Sequence, residues 1–202
     1  MKRMTPLDRV LLLATGGLAA YQVAAGVKSS SQLALVANTV GFGVLLVAGL
    51  LLIIFGFEIL DSSPVVVVSA LIPLSLSVSL VAQYSNELSS YYLAFAVIGL
   101  LVILVTRYRA PGRVATVVLA CVHGIAGIII TFLPFVLSLR GISAPGFAFV
   151  GVGGTLIGVG GLLLALLRGG RPLLPADTLF ALLPALLLGM TTAFVAGFAL
   201  GP

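Results

Sequence analysis

Four polar side chains stand inside long apolar runs: Gln22, Asn38, Ser75 and His123. A polar group surrounded by hydrocarbon must find a partner or line a wet cavity, so these four lead the candidates for function. At about 1.5 Å per helical residue, Gln22, Ser75 and His123 fall roughly 13–18 Å from the cytoplasmic edge, near mid-depth. Asn38 lies further out, and so do Thr39, Ser79, Thr131, Thr191 and Thr192. The expected arrangement is a polar outer vestibule that ends near the midplane.

His123 is the only histidine. Imidazole changes charge near neutral pH, so two roles stand open for it. It couples protons or holds a ligand, or it is a neutral group bonded to a neighbouring helix or carbonyl. One histidine cannot supply bis-histidine haem ligation, and no second metal ligand is near it in sequence, so no metal and no cofactor are expected. Cys121, the single cysteine, points to a different helix face from His123. No nucleophile–base pair and no paired acids are evident, so the residues do not point to an intramembrane enzyme.

The elements that carry these residues follow from composition. Apolar residues make up 61% of the 202 and charged residues 7%, and the mean hydropathy is +1.32. Soluble domains are roughly a quarter charged, so lipid is the main solvent. Seven apolar runs cover residues 10–27, 33–56, 64–82, 90–106, 114–138, 146–167 and 175–199. Each can cross about 30 Å of hydrocarbon, and backbone groups in lipid require helices. The fold class is therefore all-α: a polytopic integral membrane protein of seven transmembrane helices in one domain, residues 1–202. The opening stretch MKRMTPLDRVLLLATGGLAA has the layout of a signal peptide and is taken here as the first spanning helix.

Charge orients the bundle. Lys2, Arg3, Arg9, Arg107, Arg109, Arg113, Arg168 and Arg171 fall on one side, and only Lys28 and Arg140 on the other. The positive-inside rule places the N-terminus in the cytoplasm and the C-terminus outside, in a cell or plasma membrane. Basic residues in short loops between apolar runs suit anionic lipid headgroups, not nucleic acid. Glu58 stands on the same rim, where Arg107, Arg109 and Arg113 are its candidate partners, either as a structural pair or as a gate. Asp61 and Asp177 read as helix-start residues.

Two prolines share a flank. ALIPL contains Pro73 and ALLPA contains Pro184, 111 residues apart. The same shift brings Pro64 onto Pro175 and Gly43, Gly49 and Ala70-Leu71 onto Gly154, Gly160 and Ala181-Leu182. A duplication would divide the chain into repeats 10–82 and 114–199 joined by a linker helix, 90–106. The odd linker makes the repeats parallel, a plan that several small transporters use. Against it, Pro134 in the fifth run meets Val23. Each proline removes a helix hydrogen bond and frees a carbonyl, so Pro73, Pro134 and Pro184 are candidate kinks.

The sixth run, 146–167, is rich in glycine, with Gly154 and Gly158 at GxxxG spacing. It packs within the chain, or it forms a face for a homo-oligomer or a larger membrane complex. Two functions follow: a small-solute transporter or channel-like protein of unknown substrate, or a non-catalytic structural or accessory subunit of a larger membrane complex, such as a respiratory one.

Overall fold

The computed structural model describes residues 4–110, 112–168 and 170–201. Lys2, Arg3 and the side chain of Arg168 lie outside the described residues. The first helix, α1 (Pro6–Ala25), starts earlier than its apolar run because TPLD supplies a complete capping box. The Thr5 hydroxyl accepts from the Asp8 N–H at 3.2 Å, and the Asp8 carboxylate accepts from the Thr5 N–H at 2.8 Å. Pro6 fits the first turn, where its missing N–H costs nothing. Helix α2 (Gln32–Phe55) opens on Ser31. Both helices stop at glycines with positive φ, Gly26 at 67° and Gly56 at 73°, a backbone region that side chains disfavour.

The third span is interrupted at a single residue, Ala70, whose backbone stays in the helical region (φ −64°, ψ −21°). Its first part, α3 (Ser63–Ser69), is followed by α4 (Leu71–Tyr84), with Ala70 between them. Pro73 cannot donate to the Ser69 carbonyl, and its ring crowds that carbonyl. The preceding run, Val65 to Val68, is β-branched and holds a helix weakly. The last helix, α8 (Ala176–Leu200), continues through Pro184 without a break, and α6 (Arg113–Leu139) does the same through Pro134. Ala181, Leu182 and Leu183 directly precede Pro184, and alanine and leucine hold a helix better than a valine run. The shared flank therefore accompanies a one-residue interruption before Pro73 and a continuous helix through Pro184.

Helices α5 (Asn86–Arg109) and α7 (Ala148–Arg168) complete the set. Six spans, counting Ser63–Tyr84 as one, are long and apolar enough to cross a membrane. Helix α1 is not among them, since Asp8 and Arg9 in its first turn and Gln22 in its last lower its hydropathy. It is a full 20 residues long and packs along α2 and α8. The chain is thus a seven-helix, all-α protein of the polytopic membrane class.

Packing closes a ring. Helix α1 touches α2, α2 touches α4, α4 touches α6, α6 touches α7, α7 touches α8, and α8 returns to α1. Helix α5 stands outside, against α3, α4 and α6. The third span is the most enclosed: 72% of its most apolar window is buried, against 17% for both α5 and α6. The interior is filled by side chains from every ring helix, among them Ala19, Phe42, Leu76, Leu80, Ile130, Val150 and Phe194. Phe42 meets Phe194 and Phe198 edge-on, with centroids 6.3 and 6.1 Å apart.

Glycines let the backbones approach. A β-carbon on Gly154 would lie 2.9 Å from the Ile130 carbonyl carbon of α6, and one on Gly197 of α8 would lie 2.5 Å from the Val150 nitrogen of α7. Gly158, Gly160 and Gly161 of α7 face open space. The GxxxG pair is therefore divided: Gly154 serves internal packing, and Gly158 does not.

Candidate functional site

Polar groups gather where α1 ends, α2 begins and α4 ends. Gln22 is 2% exposed, and its Nε2 donates to the Gly26 carbonyl at 2.6 Å. Because α1 starts at Pro6, Gln22 stands about 24 Å along the helix, in its last turn, not at mid-depth. Ser79 is fully buried and donates across helices to the Ala34 carbonyl of α2 at 2.9 Å. One turn further out, the Gln83 Nε2 donates to the Lys28 carbonyl at 3.4 Å. Tyr84 lies against Phe147, ring centroids 5.5 Å apart.

Asn38 stands one turn deeper than Ala34 on α2. It is 0% exposed and shares a helical stripe with Phe42 and Leu45, both members of the central cluster. Neither its Oδ1 nor its Nδ2 has a hydrogen-bond partner. Six buried side-chain polar atoms lack partners among the described residues, and four of them belong to Asn38, Gln83 and Tyr84. Burying an amide without partners costs several kcal/mol on apolar transfer scales, so such groups mark places where a polar molecule belongs.

The opposite end of the ring is apolar. Leu12, Leu52, Phe57 and Phe180 cluster there, with Phe57 stacked on Phe180 at 5.4 Å between centroids. The interior is thus polar toward one end and filled by apolar and aromatic side chains at its centre and other end.

The remaining sequence candidates do not join this group. Ser75 is 8% exposed and lines a cavity of about 200 Å³ between α2, α4 and α5, outside the ring, with Ala37, Val40, Leu74 and Leu93. His123 is half-buried on α6, and its Nδ1 has no partner. Glu58 is exposed on the 3-10 turn Phe57–Asp61, and among the described residues no ion pair joins it to Arg107, Arg109 or Arg113. Arg109 and Arg113 are exposed, and Arg107 is half-buried.

Three residues outside the candidate set matter. Ser77 accepts from the Tyr92 hydroxyl at 2.9 Å and donates to the Pro73 and Leu74 carbonyls at 2.7 and 2.9 Å. It thereby anchors α5 to α4 beside the interruption. The SLSVSL alternation already separates Ser77 from Ser75 and Ser79 by helical period. Through its bond to Ser77 the half-buried Tyr92 turns toward α4. Asp8 is buried in its capping box, and the T-x-x-D pattern was its signal.

Replacing Ser79 with alanine removes one interhelical bond and no bulk. The expected loss is about 0.6 kcal/mol, the mean for such bonds within membranes. Reversible unfolding in micelles checks it. A loss above about 2 kcal/mol would mean that Ser79 orders more than the Ala34 carbonyl.

Fold and site together define a class: a multi-pass, all-helical membrane protein with no metal-binding cluster among its described residues. No protein-family model, curated protein or solved structure matches the chain.

Proposed function

We propose that this protein is a membrane transporter or channel for a small uncharged solute, with Asn38 as its first binding group. The observation that carries this is the unpartnered Asn38 amide, held inside a closed helical ring beneath Gln83 and Tyr84. Groups that bond the solute there are neutral, so a neutral hydrogen-bonding solute suits them better than an ion. The aromatic residues at the centre form the closed part of the path, and passage requires them to move.

The packing order supports a parallel repeat. Under the 111-residue shift, α1, α2 and α4 correspond to α6, α7 and α8. Each contact of the ring then has a counterpart: α1 on α2 with α6 on α7, α2 on α4 with α7 on α8, and α4 on α6 with α8 on α1. Helix α5 is the linker outside both halves. By the excess of arginine, the mouth that holds Asn38 faces the exterior and the N-terminus lies in the cytoplasm of a cell or plasma membrane.

The test is flux. Purified protein in liposomes is challenged with a panel of neutral solutes, water, urea, glycerol and small sugars, and followed by light scattering. At least one solute crosses faster than in protein-free vesicles, and Asn38→Leu removes the difference. Rates equal to those of empty vesicles for the whole panel would overturn the proposal.

One observation favours a second role. The exposed stretch of α7 with Gly158, Gly160 and Gly161 leaves room for a partner helix. This suits a second copy or an accessory subunit of a larger membrane complex. Purification in mild detergent separates the cases: a lone chain or homodimer excludes the larger complex.

A further inference from the structure

We propose that the α5–α6 hairpin holds an anionic phospholipid, with its phosphate on the arginines and an acyl chain along α6. Arg107 and Arg109 occupy the last turn of α5, and Arg113, four residues after Arg109 in sequence, opens α6. The hairpin thus brings three guanidinium groups to one end of the bundle. None is neutralised by Glu58, and the enclosed Nε of Arg107 has no hydrogen-bond partner. From Arg113 a cavity of about 320 Å³ runs past Val114, Val117 and Val118. Val114 and Val117 are more than half exposed.

This layout matches one molecule. A phosphate accepts paired hydrogen bonds from a guanidinium fork, and the valines offer an apolar track that leads away from it. A zwitterionic lipid also carries a phosphate, but its own cation offsets the charge, so the site prefers an anionic headgroup. The fold supports the geometry: Gly99 of α5 would place a β-carbon 2.9 Å from Val122 of α6, so the two helices lie close and keep the hairpin narrow.

The chain has no tryptophan, so one placed at Val117 is a unique reporter. Val117→Trp protein is reconstituted in phosphatidylcholine bilayers that contain either brominated phosphatidylglycerol or brominated phosphatidylcholine. Bromine quenches the indole when the lipid occupies the cavity. The expected preference for phosphatidylglycerol is about fivefold for each arginine engaged, and Arg107→Ala with Arg113→Ala brings it close to one. A Leu88→Trp reporter at the start of α5, exposed and at the opposite end, has no such preference. Equal quenching by the two lipids at Val117→Trp would overturn the proposal, as would a preference that survives removal of both arginines. Excess inorganic phosphate leaves the preference unchanged. If phosphate abolishes it, the site takes a small anion and the lipid is not its ligand.

Discussion

Gly197→Ala is expected to destabilise the protein by about 3 kcal/mol, the upper part of the range for forced overpacking. The added carbon would sit 2.5 Å from the Val150 nitrogen and 2.6 Å from Val150 Cγ2. A flexible side chain can move away from such an intrusion, but a backbone nitrogen moves only if α7 moves. Helix α7 also packs on α6 through Gly151 and Gly154, so its displacement would spread around the ring. Gly158→Ala is the control on the same pair of helices. Nothing lies within 4 Å of its built β-carbon, and alanine is the better helix former by about 1 kcal/mol or less. That variant should therefore be neutral or slightly more stable. Thermal and denaturant unfolding in one detergent decide the matter. Equal effects of the two substitutions would mean that the α7–α8 contact is not as close as described.

Asn38→Leu is expected to do two opposite things. It removes an amide whose two polar atoms lack partners and replaces it with an apolar group of similar size. The stability should rise by about 2 kcal/mol, within the range for an unsatisfied buried polar group. In the same variant, solute flux should fall to the level of empty vesicles. The combination is what distinguishes a binding group from a structural one. An amide that held the fold together would destabilise when replaced, and flux would fall with it. A more stable protein that still transports would remove Asn38 from the path. Asn38→Asp adds a charge at a fully buried position and should be the most damaging change at this site, because an isolated carboxylate in an apolar interior is not solvated.

Much of the architecture was legible in the residues, for a definite reason. Hydropathy is a property of a local run, and in lipid a local run satisfies its own backbone only as a helix. The lipid solvent, the number of helices and the arginine-rich loops all follow from composition and order. Some helix ends follow as well: Thr5-Pro6 opens α1, and Gly26 and Gly56 close α1 and α2.

What only the tertiary structure decided is which face of each helix turns inward. In a chain this apolar, lipid-facing and buried sides differ little in residue type, so rotation about the helix axis leaves almost no trace in sequence. Depth counting grouped Gln22 with Ser75 and His123. The helix start instead set Gln22 in the last turn of α1, bonded to the Gly26 carbonyl, while packing put Ser75 in a groove outside the ring and left His123 half-buried on α6. The same applies to Gly154 and Gly158, identical in type and four residues apart, of which one meets α6 and the other open space. It applies to the prolines too, since a common flank accompanies a one-residue interruption before Pro73 and a continuous helix through Pro184. Helix formation here is local, whereas the choice of inward face belongs to all the helices at once, because each contact depends on the shape its neighbours present.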